Sequence, residues 1–168
     1  MMIIIRHLLS ILLLPFMVIV VVPAILLNSF ATVDSHGGEN ALWVARFAGS
    51  GFLLVGFALF SWCVSLFARV GQGTLAPWDP TTNMVAVGPY RFVRNPMISG
   101  VALVLMGETL LWGSWILAAW AGVFIFINHI NFLFVEEPGL EKRFGEPYRV
   151  YKANVPRRVP RLKPWAGM

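Results

Sequence analysis

A chain of 168 residues that is 58 % hydrophobic and only 12 % charged has too little polar surface for an ordinary soluble domain, in which about 25 % of residues are charged. Its formal charge of +5 comes from Lys and Arg crowded into the last third beside apolar runs, where anionic membrane lipids are nearer partners than nucleic acid, and no nucleic-acid partner is expected. The one cysteine, Cys63, lies inside an apolar run, which excludes an intrachain disulfide framework and a cysteine-based metal centre.

The first apolar run, residues 8–30, is long enough to cross a hydrocarbon core of about 30 Å at about 1.5 Å per residue. Pro15 and Pro23 are placed to kink it. Its Arg6-His7 start resembles that of a signal peptide, but the run exceeds a normal h-region of roughly 7–15 residues and lacks a small-x-small cleavage site, so it reads as a retained helix. A polar turn, NSFATVDSHGGEN, leads to the second run, 42–68, where Gly49, Gly51 and Gly56 allow close helix approach and place this span inside a bundle. The loop 69–96 follows, dense in Gly and Pro. Loops beyond about 12–15 residues are commonly functional when they are ordered.

The third run, 97–112, is short, and Gly113-Ser114 turn it directly into the fourth, 115–135, predicting a tight helical hairpin. Residues 136–168 are amphipathic and basic, and no internal repeat is present. The pattern predicts one all-α membrane domain: a bundle of about four transmembrane helices with a C-terminal amphipathic segment. With both termini on one face, that face carries Arg6, Arg69, Arg91, Arg94 and every basic residue after position 140, against Arg46 alone on the other. The positive-inside rule therefore puts both termini and the long loop in the cytoplasm.

Polar groups at membrane depth face a bundle interior or a wet cavity. Asn128, His129 and Asn131 lie in the fourth run, and Glu136-Glu137 closes it. Helical spacing puts Asn128, Phe132 and Glu136 on one face and His129, Leu133 and Glu137 on its neighbour, which predicts a polar pocket opening to the cytoplasm. The two carboxylates also suit pairing with Arg91, Arg94 or arginines of the tail. His129 has no second metal ligand at suitable spacing and reads as a pocket liner, so no metal is expected. Glu108 sits near the far end of the third run. In the tail, Tyr148, Arg149, Tyr151 and Arg157 fit either an interfacial anchor or a lid over the pocket.

The run GPYRFVRNPMISG, then a short apolar hairpin, then EE, then RFGEPYRVYKANVPRRVP, resembles the isoprenylcysteine carboxyl methyltransferase-like family, relatives of the phospholipid methyltransferases. The likeness runs from about residue 71 to 160. It implies an integral membrane enzyme using S-adenosylmethionine, with cofactor contacts carried onto Thr82, Asn83, Met84, Val85, Tyr90, Asn95, Pro96, Met97, Ile98 and Glu136. The chemistry of the cofactor suits this set, since carboxylates match its ammonium or ribose diol and the arginines Arg91 and Arg94 match its carboxylate.

Two departures stand out. Asn95 and Ile98 occupy the His and Tyr positions of the family's Arg-His-Pro-x-Tyr-x-Gly signature, and Phe132 stands where an arginine associated with a carboxylate substrate is usual. The resemblance implies methyl transfer to a lipophilic small molecule or lipid: an isoprenylcysteine-like carboxylate, or a neutral, amine or thiol acceptor. Where the acceptor must lose a proton, His129, Glu137 and Asn128 are the nearest candidate catalytic groups. A non-catalytic membrane scaffold and a nicotinamide-dependent reductase on a related bundle are the alternatives, separable by which cofactor binds.

Overall fold

The computed structural model describes residues 15–30, 39–74 and 80–167. The Arg6-His7 start, the first part of the 8–30 run, most of the NSFATVDSHGGEN turn and the middle of the long loop lie outside them. Among the described residues every regular element is helical and no strand occurs.

Helix α1 (Val22–Ser29) continues a widened π-type turn, Met17–Val21. In that turn the Val22 N–H reaches back five residues to the Met17 carbonyl. Pro23 comes next and has no N–H, so the Val18 carbonyl loses the partner that the pattern would supply. Trp120 fills the vacancy, its indole Nε1 donating to Val18 O at 3.1 Å. An apolar surrounding makes such a bond worth keeping, because water is not there to replace it.

Helix α2 (Glu39–Leu66) also runs into a π-type turn, Phe67–Gly71, and Gln72 ends it in the left-handed conformation at φ 52°. Chain from the far side of the long loop caps its last carbonyls. Gly71 O accepts the N–H groups of Thr82 at 2.8 Å and Asn83 at 3.1 Å, and Val70 O accepts from Asn83 Nδ2 at 3.2 Å.

Helix α3 (Pro96–Trp112) starts on two local signals, a Pro in the first turn and Asn95 as cap, whose Oδ1 accepts the Ile98 N–H at 3.3 Å. It ends at Gly113, left-handed at φ 58°, and two residues separate it from α4 (Trp115–Asn131). A π-type stretch, Phe132–Glu136, joins α4 to α5 (Glu137–Phe144), and Gly145 at φ 62° breaks the rod before α6 (Glu146–Asn154).

The α2–α3 contact is backbone against backbone. A Cβ on Gly56 would meet Gly100 O at 2.7 Å, and one on Gly49 would meet Gly107 O at 2.9 Å. Two glycine pairs seven residues apart on both helices thus set the approach, in the manner of small-residue interfaces between membrane helices. Gly51 has nothing within 4 Å, so the expected interior position of the second span holds for one face only: the face carrying Gly49, Leu53, Gly56 and Phe60 packs on α3, and Trp43, Phe47, Leu54 and Trp62 elsewhere on α2 stay exposed.

Apolar packing gathers around Ile19, Phe60, Val101, Val104, Leu105, Ala121 and Phe124. The 30-residue stretches Leu42–Gly71 and Trp115–Phe144 are long and apolar enough to cross a membrane, yet only 17 % and 22 % of their most apolar windows are buried. Bare side chains such as Phe47, 85 % exposed, and Phe134, 72 % exposed, suit hydrocarbon rather than water as their surroundings.

Candidate functional site

The segment Thr81–Arg94 crosses the end of the bundle between α2, α5 and the C-terminal residues. Thr82 and Asn83 are bonded to the end of α2, Val85 packs on Cys63 and Tyr90, and Met84 packs with Ala86 against Tyr148, Tyr151 and Val155. Gly88–Arg91 forms a single 3₁₀ turn with Pro89 near its start. That turn buries Tyr90, which stacks on Phe67 with ring centroids 5.8 Å apart. Its hydroxyl lies against the Cys63 thiol and makes no well-formed hydrogen bond among the described residues, and burial holds its pKa well above the ordinary phenol range.

The carboxylates at the α4–α5 junction have different surroundings. Glu137 is buried and accepts from Arg94 Nη1 at 2.7 Å, from Arg157 Nε at 2.9 Å and from Arg157 Nη2 at 3.1 Å, with Lys152 Nζ at 3.4 Å. The bidentate Arg157 geometry is the strong form of such a pair. These bonds also raise the pKa of Arg157, while that of Lys152 is raised first by Glu141 and then by Glu137.

Glu136 has no ion pair or hydrogen bond among the described residues. It is open to its surroundings and close enough to Tyr90 and Tyr148 to act on both hydroxyls electrostatically. The π-type stretch just before it separates the two roles. An extra residue in the turn rotates the helix phase by about 100° relative to a regular α-helix.

The residues after α5 strap the segment down. Tyr151 Oη donates to Tyr90 O at 2.7 Å, the Arg94 N–H to Pro156 O at 3.0 Å, the Arg161 N–H to Phe92 O at 3.0 Å and the Trp165 N–H to Arg91 O at 3.0 Å. Arg91 Nε returns a bond to Trp165 O. Tyr148, Tyr151 and Val155 form a small buried cluster beneath the strap, with Trp165 packed on Tyr151 at 5.5 Å between ring centroids. The Tyr148 hydroxyl lies within reach of Arg94, yet neither it nor Arg94 Nε makes a well-formed hydrogen bond among the described residues, and burial pushes Tyr148 up to about 12.

Thr82 to Val85, Tyr90, Arg94 and Asn95 thus share one end of the molecule with Glu136 and Glu137. Pro96 is buried at the helix start, Asn95 Oδ1 is used as a cap, and Met97 and Ile98 pack partly into the apolar core. Arg91 holds the strap and makes no pair with either glutamate. Farther along α4, Asn128 donates from Nδ2 to Phe124 O at 2.9 Å, and His129 is half-buried without a hydrogen-bond partner among the described residues.

Of the tail residues, Tyr148, Tyr151 and Arg157 pack onto the site. Arg149 stays exposed, 3.6 Å from Glu146. No metal-binding cluster occurs among the described residues. The sequence expectation of a lid or interfacial anchor in the tail named Tyr148, Tyr151 and Arg157 but not the backbone fastening of 156–165 along Tyr90–Arg94. The i, i+3, i+7 spacing of Tyr148, Tyr151 and Val155 is the visible signal of the buried cluster beneath it.

No curated protein matches the chain, and no solved structure does. The phospholipid methyltransferase family model matches residues 44–147, from within α2 into the start of α6 and across the glycine-paired helices, the 3₁₀ turn and both glutamates. On that match, which takes in more than half of the chain, the protein belongs to the phospholipid methyltransferase family, the family of the isoprenylcysteine methyltransferase-like membrane enzymes.

Proposed function

We propose that the chain is an S-adenosylmethionine-dependent methyltransferase acting on a lipophilic acceptor delivered from the bilayer. It would be one domain of four spans, with both termini and the cofactor site on the cytoplasmic face. The observation that carries this reading is that Glu136, with no ion pair or hydrogen bond among the described residues, lies within electrostatic reach of the buried Tyr90 hydroxyl, whose neighbour is the Cys63 thiol. A thiol is a weak partner for a phenol, and buried polar atoms are nearly always fully satisfied, so this pair of groups fits a missing ligand.

The residues present fit the cofactor. Glu136 would take its ammonium or ribose diol, the Tyr90 hydroxyl would add one polar contact, and the carbonyls of Thr82–Val85 would add acceptors, the Thr82 and Asn83 N–H groups being used by Gly71 O. When bound, S-adenosylmethionine supplies an electrophilic methyl group on a sulfonium centre. This chain's own residues supply placement and dryness: the strap and the Glu137 cluster hold the loop still, and the packed helices exclude water.

Glu137 is committed to Arg94 and Arg157, so its role is to position those cations. A carboxylate or thiolate acceptor needs no base. For an amine or thiol acceptor, His129 is the available proton acceptor on α4, with Asn128 Oδ1 free to orient a substrate. Phe132 is buried, and it brings no cation to hold an isoprenylcysteine carboxylate. That favours a neutral or amine acceptor over the prenylcysteine class.

The test is calorimetric titration of S-adenosylmethionine into nanodisc-embedded protein, followed by transfer of radiolabelled methyl to fractionated membrane lipids. Binding in the wild type and loss of at least about tenfold in Glu136→Gln is expected, the worth of one hydrogen bond to a charged group. Equal binding by the variant sinks the site, and no binding by the wild type sinks the activity.

A further inference from the structure

Residues Pro156–Trp165 run along the loop Tyr90–Arg94 and are fastened to it by the backbone bonds at Arg94, Arg161 and Trp165. A segment held this way cannot hide its outer side chains by collapsing onto the protein. Val159 is 76 % and Leu162 100 % exposed. Both are apolar, and they are flanked by Arg158 and Lys163, which are exposed and have no ion pair or hydrogen bond among the described residues. The neighbouring cations are engaged, Arg157 by Glu137 and Arg161 through Nη1 by the Asn154 carbonyl at 2.7 Å.

The position of the strap supplies a partner. Arg157 ties it to Glu137 at the start of α5, directly after the Phe132–Glu136 stretch, where Phe134 and Val135 are bare apolar side chains on a helix suited to hydrocarbon. The strap therefore lies at the level where hydrocarbon gives way to headgroups. Free cations next to free apolar side chains complement an anionic headgroup above an acyl chain.

We infer that Arg158, Val159, Leu162 and Lys163 form a docking surface for anionic phospholipid of the surrounding membrane. The cations pair with headgroup phosphate or carboxylate, and the two apolar side chains enter the acyl boundary. Because the same segment fastens Arg91, Phe92 and Arg94, lipid held there also stiffens the loop between the two. This surface lies outside the segment matched by the family and does not depend on the methyltransferase reading.

The experiment places an environment-sensitive fluorophore on Leu162→Cys in the full chain, since the native Cys63 is buried. The labelled protein is compared in nanodiscs of phosphatidylcholine and of phosphatidylcholine mixed with phosphatidylserine. A blue shift confined to the phosphatidylserine discs is expected. It should vanish in about 1 M salt, where the screening length falls to about 3 Å, and in the Arg158→Gln, Lys163→Gln double variant. Neither side chain has an ion pair or hydrogen bond among the described residues, so that variant keeps the wild-type melting midpoint. Identical emission in the two disc types overturns the inference, as does a shift that survives the double variant. The same shift produced by inorganic phosphate in phosphatidylcholine discs also overturns it, by assigning the cations to a soluble anion.

Discussion

Glu137 holds two arginines and a lysine, whereas Glu136, one residue earlier, holds no partner among the described residues, and the same substitution should give opposite results at the two positions. Glu137→Gln leaves Arg94 and Arg157 without their counter-charge. Removing one partner from a buried pair costs about 3–5 kcal/mol, so the melting midpoint in detergent should fall clearly. Glu136→Gln should leave that midpoint in place while weakening cofactor binding. A destabilised Glu136→Gln with a stable Glu137→Gln would reverse the two roles. Tyr90→Phe removes a hydroxyl that makes no well-formed hydrogen bond among the described residues. Stability without ligand should stay level or rise, and S-adenosylmethionine affinity should drop; a loss of stability with unchanged affinity would mark the hydroxyl as structural. Tyr151→Phe is the contrasting tyrosine, because its hydroxyl satisfies Tyr90 O. Stranding that carbonyl should cost about 1–3 kcal/mol, read as a lower midpoint.

At the scale of elements, the α2–α3 pair rests on how little lies between the backbones. Gly56→Ala places a methyl 2.7 Å from Gly100 O and 2.8 Å from Val104 Cγ2, and overpacking of this kind costs about 1–3 kcal/mol. Gly51→Ala, on the open side, meets nothing within 4 Å and should be neutral or stabilising by up to about 1 kcal/mol, since Ala is the better helix former. Thermal unfolding of the two variants side by side checks this; equal effects would show that α2 does not use one face in preference to the other. Repeated glycine in an apolar run signals close packing, and that much is legible in the sequence. Which glycines meet a partner is not, because Gly49 and Gly56 share a stripe that Gly51 misses by rotation about the helix axis. The same applies to the glutamates. Pairing of the EE motif with Arg94 and a tail arginine was among the readings open from the sequence, yet the choice of Glu137 over Glu136 follows from a π-type turn that regular periodicity does not include.

For the molecule as a whole, the loop, the α4–α5 junction and the strap behave as one body joined through buried tyrosines. The chain has 3 tyrosines, and burial raises the pKa of all of them, Tyr148 to about 12 and Tyr90 and Tyr151 in the same direction. Unfolded phenols titrate near 10. The folded state therefore holds these protons more tightly, and the stability it gains is full below about pH 10 and is lost as pH climbs through about 12. Tyrosinate absorbance should stay flat past pH 10 and then rise together with release of the strap, followed by proteolysis after Arg157 or Arg158. Ordinary titration near 10 with the strap still protected would contradict a buried cluster.

Composition and the order of its apolar runs sufficed to set the helical class and to mark Leu42–Gly71 and Trp115–Phe144 as fit to cross a bilayer, because hydrocarbon demands long apolar helices and leaves few alternatives; the family likeness came from the ordered motifs. Tertiary structure alone decided which side chains are spent and which are free. Arg91 goes to the strap, Arg94 and Arg157 go to Glu137, and Glu136 and the Tyr90 hydroxyl are left over. Those outcomes depend on helix rotation and on contacts between residues more than sixty positions apart, which no local pattern encodes.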